Sequence, residues 1–185
     1  MNTRDYCAQI AQELDRTLRM VNPDESAELI DMIDQAKRIF VTGAGRSLLM
    51  MKAFAMRLMH LGFSVFVVGE IVTPAIQAGD LLLIGSGSGE NGSMALHARK
   101  AIAQGARVAL VSASRNSTLG QLANLVMLIP ISTEKTGNTV GNKSIQPGGS
   151  TFEQSLLLVL DAVVLVLLDK MPPGTSVMNL HANLE

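Results

Sequence analysis

Residues 81–94 read LLLIGSGSGENGSM. Four apolar residues run into a turn of glycine and serine that carries one acid and no lysine. An apolar run of that length bounded by glycine reads as a buried strand. The glycines let another group approach the backbone closely, and a helical pattern starts at Ser93. The stretch is therefore strand, tight turn and helix start, the unit that builds doubly wound α/β sheets.

The same unit recurs outward from it. RIFVTGAGRS at 38–47 is a short strand ending in a glycine turn, and a helix follows from Leu48 to Leu61 with Ala, Met and Leu on its buried face. SVFVV at 64–68 reads as a second strand and DLLLIGSGSG at 80–89 as the third with its turn. A helix from Ser93 to Gln104 follows, then strands at ARVALVSAS (106–114) and LVMLIPI (125–131). Gly62 and Gly105 stand where helices stop. At the start, Ile10, Leu14, Leu18 and Val21 have helical spacing, and Asn22-Pro23-Asp24 separates them from a second helix through Leu29, Ile30 and Ile33. Continuous apolar strands of this kind imply a parallel sheet covered on both faces. The expected fold is α/β, a three-layer α/β/α sandwich around a five-stranded parallel sheet. The chain reads as one domain over 1–185: N-terminal helices at 3–36, a sheet core at 38–131, a polar loop at 132–150 and C-terminal helices at 151–185. The loop, STEKTGNTVGNKSIQPGGS, is longer than a connector needs, as lids and binding elements are.

Composition removes several classes of function. Apolar residues make up 48% and the net charge is −1, which argues against a disordered chain and an electrostatic nucleic-acid binder. With no tryptophan and one tyrosine there is no base-stacking platform. Cys7 is the single cysteine, so no internal disulfide is expected, and no zinc-ligand spacing occurs. The first residues, MNTRDYCAQIAQELDRTL, are charged and helix-periodic rather than a basic region followed by an apolar run, so no signal peptide is expected and cytoplasm is the default. Residues 156–168, LLLVLDAVVLVLL, are shorter than a membrane span and interrupted by Asp161. They read as a helix buried on most sides, partly by a neighbouring subunit, so an oligomer is expected.

The turns at 43–47 and 85–92 both follow strands and open helices, which puts them at one edge of the sheet. Helix N-termini with serine hydroxyls suit a phosphate. A nucleotide P-loop is excluded, because no G-K-[ST] ending is present. Gly87, Gly89 and Gly92 do spell G-x-G-x-x-G, and Arg115 is placed to pair with the 2′-phosphate of NADP. However, that fingerprint belongs after the first strand, and there Leu48 replaces the third glycine. A further possibility, that the turns are only tight strand-to-helix connections, leaves two hydroxyl-bearing turns at one sheet edge without a role.

GAGRS at 43–47, FAMRL at 54–58, VGE at 68–70 followed by Thr73-Pro74, SGSG at 86–89, SIQPGGSTFEQSLL at 144–157 and HANLE at 181–185 together resemble the sugar isomerase (SIS) domain family, in its 6-phospho-3-hexuloisomerase branch. The resemblance implies a flavodoxin-like SIS fold, usually homotetrameric and at least dimeric. It also implies conversion of 3-hexulose 6-phosphate, the product of formaldehyde fixation, to fructose 6-phosphate. Asn91 stands where the family has threonine, Gly92 where an acid often follows, and Leu180 where a basic residue precedes the histidine. Isomerisation of another phosphosugar, or sugar-phosphate sensing without catalysis, are the alternatives; sensors of this family carry a DNA-binding domain, and none is visible here.

Moving a carbonyl between neighbouring carbons needs a base acting through a cis-enediol and donors for the oxygens. Fixed donors suffice, so neither metal nor organic cofactor is expected. The resemblance implies Glu153 as the base and His181 as a proton carrier. Taken alone, Ser150-Thr-Phe-Glu153 is equally a capping box. Gly45, Arg46, Ser47, Ser86, Ser88 and Asn91 are the expected phosphate-side residues. His60 falls at the opposite sheet edge and His97 inside a helix, so both read as structural or surface residues. Met50, Met51, Met56 and Met59 read as packing.

Overall fold

The computed structural model describes residues 1–131, 144–172 and 177–184. Helices α1 (Thr3–Leu18) and α2 (Pro23–Gln35) lead into β1 (Ile39–Gly43), α3 (Gly45–His60) and β2 (Val65–Val67). Then come β3 (Leu81–Gly85), α4 (Gly92–Ala103), β4 (Arg107–Ser112), the short α5 (Thr118–Leu122) and β5 (Leu125–Leu128). A 20-residue helix, α6 (Ser150–Asp169), and a 3-10 turn at Val177–Leu180 complete the described elements. Most of the expected lid, 132–143, lies outside the described residues.

All five strands are parallel, in the order β2-β1-β3-β4-β5. Side chains alternate between faces along each strand. Ile39, Val41, Leu81, Leu83, Ala109 and Val111 face α2, α3 and α6 in one core. Phe40, Leu82, Ile84, Val108 and Leu110 face α4 and α5 in the other. The expected three-layer sandwich is therefore present, with one departure. The β2–β3 crossover, residues 68–80, contains no helix, so an irregular segment carrying Val68 and Ile76 covers Phe40 and Phe66. Its tip leaves Ile71 and Val72 exposed.

Local chemistry fixes the helix ends. Asn2 and Asp5 form a reciprocal capping box on α1, Asn22 caps α2 ahead of Pro23, and Ser117 caps α5. Helix α6 has the length and hydropathy of a membrane span, but Phe152, Leu156, Leu160, Val163 and Leu167 are core. Leu158, Leu165 and Val166 form an exposed stripe, so the helix is half-covered by its own chain.

Strand order reverses its winding between β1 and β3, which pair in register down to Gly43 beside Gly85. That is the switch point, where ligands of such sheets bind beyond the strand ends. Neither glycine has room for a side chain. A Cβ on Gly85 would lie 2.7 Å from Met51 Sδ and 3.0 Å from Leu156. Gly85→Ala is expected to lose about 1–3 kcal/mol, the scale of overpacking a filled core, read as a lower urea midpoint. A midpoint equal to wild type would show that Met51 moves aside without cost.

Candidate functional site

Beyond Gly43 and Gly85 lies a crevice of about 290 Å³. Three helices point their N-termini at it. Ala44 and Ser47 come from the start of α3, Asn91 and Met94 from the start of α4, and Phe152 and Glu153 from the first turns of α6. The turn Gly85–Ser88 forms its floor, and Gly148 and Gly149 form a wall.

The ends of α3 and α6 differ from the others. Ala44 and Gly149, their N-caps, offer no side-chain hydrogen bond. The first N–H groups of a helix have no partner inside it, so both helices present uncapped donors and the positive end of their dipoles to the crevice. Together with hydroxyls this is the kind of donor set that suits an anion. Ser47 is nearly fully buried in its wall. The loop after β3 is held in shape by its own side chains. Ser86 Oγ accepts from Gly89 N–H at 3.2 Å and Ser88 Oγ from Glu90 N–H at 3.3 Å. Gly89 adopts φ +69°, and a side chain there would collide with Ser117. Glu90 fastens the loop to α5 by accepting from the Thr118 hydroxyl at 2.6 Å and its N–H at 3.0 Å, which holds its carboxyl below the usual range.

Asn91, expected on the phosphate side, caps α4 by accepting from Met94 N–H at 3.1 Å. A cap needs an oxygen acceptor in a short side chain, which explains a threonine-like position filled by asparagine. With its oxygen turned to the cap, Asn91 has its amide hydrogens as donors toward the crevice it lines.

Glu153 lines the crevice, and the capping-box reading of Ser150-Thr-Phe-Glu153 is corrected here. The cap falls one residue earlier, on Gly149, while Ser150 Oγ donates to Pro147 O at 2.8 Å. Glu153 Oε2 instead meets Arg46 Nη1 at 2.9 Å, and the same nitrogen donates to Ser150 Oγ at 2.9 Å. Arg46 thus reaches across to α6 rather than lining the crevice, and Gly45, at a φ of +55°, opens α3 without lining it either.

His181 is brought to His60, not to this crevice. Its Nδ1 lies 3.2 Å from His60 Nε2, with the rings edge to face. His60 is buried at the far end of α3, about 20 Å from Ser47 along the helix. Burial, then His181, then Arg57 push His60 below the usual imidazole range. Arg115 pairs with Glu25 of α2 and donates to Val126 O at 2.8 Å. It ties α2 to β5, which removes the observation behind the NADP reading. Among the described residues no group of three or more His, Cys, Asp or Glu is gathered for a metal ion.

Sequence reasoning missed Glu13. From α1 it accepts from Ile145 N–H at 2.8 Å, the Ser144 hydroxyl at 2.8 Å and the Gln146 amide at 3.5 Å. Gln146 also donates to Gln154 Oε1 at 2.9 Å. Residues 144–149 are therefore a strap tied at both ends, and the strap carries the glycine wall of the crevice. Nothing near Glu13 in the sequence signals this, because its partners lie more than a hundred residues away.

Burial acts to raise the Glu13 carboxyl, but the bonds from Ile145, Ser144, Gln146 and Thr151 outweigh it and hold it below the usual range. A carboxyl depressed on folding stabilises above its unfolded value and loses that contribution as pH falls through the folded one. Glu13→Gln should therefore lower the urea midpoint fully at pH 7. The gap to wild type should shrink as pH falls below about 4, near the unfolded glutamate value. A gap independent of pH would mean that the ionised carboxylate is not what anchors the strap.

Residues 32–160 match the SIS domain family. A Bacillus subtilis (strain 168) protein named 3-hexulose-6-phosphate isomerase is 45% identical over 186 residues, covering the whole of both chains. A protein of the same name from Mycobacterium gastri is 42% identical over 95% of this chain and 88% of its own. Among solved structures, a Methanococcus jannaschii protein with an inferred molecular function of 3-hexulose-6-phosphate isomerase superposes with a TM-score of 0.81. It is 29% identical and covers 98% of this chain and 99% of its own.

Proposed function

The chain belongs to the SIS domain family, and from that premise we propose that it interconverts 3-hexulose 6-phosphate and fructose 6-phosphate. The observation that carries the reading is the crevice where two uncapped helix ends meet a carboxylate. The phosphate sits at the N-terminus of α3 and the loop 85–91, taking N–H donors there and the hydroxyls of Ser47, Ser86 and Ser88. This orients the sugar with its carbonyl carbons toward Glu153. The Glu153 carboxylate removes the proton from the carbon next to the carbonyl, and the C–H electron pair becomes the enediol double bond. Returning that proton to the neighbouring carbon, while the hydroxyl proton passes along the cis-enediol to the oxygen that was the carbonyl, completes the shift. Backbone donors of the helix ends hold the oxygen that gains charge. The two carbons exchange oxidation level within one molecule, so no external redox partner takes part.

Glu153→Gln keeps an acceptor for Arg46 and removes the base. Turnover is expected to fall at least about a hundredfold, the scale of losing a general base, with phosphosugar binding retained. Exchange of the carbon-bound proton with solvent should stop as well. Near-normal turnover in the folded variant would exclude Glu153 as the base. Double replacement of Ser86 and Ser88 by alanine is the complementary change, aimed at the Michaelis constant.

We also propose a homotetramer, or at least a dimer. Leu158, Leu165 and Val166 on α6, with Leu49 and Met56 on α3, are large exposed apolar side chains on two helices packed together, a pattern that suits a subunit contact. In such an assembly the tail with His181 serves a neighbouring crevice, since its own lies at the other end of α3. A monomeric mass by light scattering at micromolar concentration would overturn this. A phosphorylated hexulose does not cross bilayers, so we place the enzyme in the cytoplasm, consuming the product of formaldehyde fixation.

A further inference from the structure

We infer that Arg46 is a positioning residue for the Glu153 carboxylate and not a ligand of the phosphate. The inference rests on the isomerase reading above. Its ground is the way the guanidinium is committed. One nitrogen, Nη1, sits 2.9 Å from Glu153 Oε2 and 2.9 Å from Ser150 Oγ, and Ser150 is itself held by Pro147 O at 2.8 Å. Arg46 is thereby fixed to the first turn of α6, while Ala44 and Ser47, its neighbours on α3, line the crevice in its place.

The arrangement treats the two carboxylate oxygens differently. Oε2 is engaged by Arg46, whereas Oε1 lies over Gly149, 3.6 Å from where a Cβ would stand. Gly149 is a wall of the crevice, so Oε1 is the oxygen presented to substrate. A free carboxylate rotates about its last bond and offers either oxygen; an oxygen held by an arginine does not. Chain entropy that the base otherwise loses on reaction is then already removed in the resting protein.

Charge moves in step with this. When Oε1 takes the carbon-bound proton, the C–H pair passes into the enediol and the negative charge leaves Glu153 for the sugar oxygen. The Arg46 charge is then no longer neutralised by Glu153 and favours the anion that forms in the neighbouring crevice. When the proton returns to the neighbouring carbon, the ion pair is restored. The guanidinium acts from outside the crevice and forms no bond to substrate.

The test compares Arg46→Met and Arg46→Lys in the full chain, with hexulose 6-phosphate isomerisation and competitive inhibition by inorganic phosphate as readouts. Arg46→Met is expected to lower kcat by about tenfold to a hundredfold, with KM and the phosphate inhibition constant within about twofold of wild type. Added guanidinium should restore part of kcat to Arg46→Met, and Arg46→Lys should fall between the two. A phosphate ligand predicts the reverse split: weaker phosphate inhibition, a KM raised by tenfold or more and kcat retained. That result, or unchanged kinetics in Arg46→Met, overturns the inference while leaving the isomerase reading intact. Absence of isomerisation in the wild-type protein overturns the reading itself, and the inference with it.

Discussion

The crevice exists because β1 and β3 both end on glycine, side by side at the switch point of the sheet. A Cβ on Gly43 would meet Leu48 N at 3.0 Å and Gly85 O at 3.1 Å, so α3 starts as close to the strands as backbone allows. Gly85 does the same for Met51 of α3 and Leu156 of α6. Larger residues at either position push these helices outward. Their first N–H groups then no longer point at a common ligand. Packing in the apolar layer and donor geometry at the site are thus one constraint, expressed at two atoms.

Helix capping divides along the same line. Helices α1, α2, α4 and α5 have side-chain caps of asparagine or serine, while α3 and α6 have none. A missing cap costs a helix about 1 kcal/mol by comparison with its capped counterparts. Both uncapped ends face the crevice, and an anion bound there as proposed would offset that cost.

The sheet was legible in the sequence because each strand is a continuous apolar run closed by a glycine turn. Those runs follow from burial on both faces, a property of local composition. The two turns at one edge were legible for the same reason, and the family motifs carried Glu153 with them. Three features were not legible. The β2–β3 crossover has no helix, and nothing in residues 68–80 is periodic enough to say what covers Phe40. The cap of α6 falls on Gly149 rather than Ser150, because Ser150 finds Pro147 and Arg46 as partners once the chain is folded. Arg115 stood at a nucleotide-like spacing, yet Glu25, distant in sequence, claims it. In the last two a long-range partner overrides a local pattern, and in the first no local pattern existed to read.

The strap over 144–149 is fastened to Glu13, which lies outside residues 32–160, the part that matches the SIS family model. The wall of the crevice is therefore shaped by a helix that precedes the matched segment. A lineage built on this domain can remodel the pocket by changing the helix that precedes it, leaving every residue that faces the sugar untouched. Substrate preference and sheet architecture can in this way evolve on separate stretches of one chain.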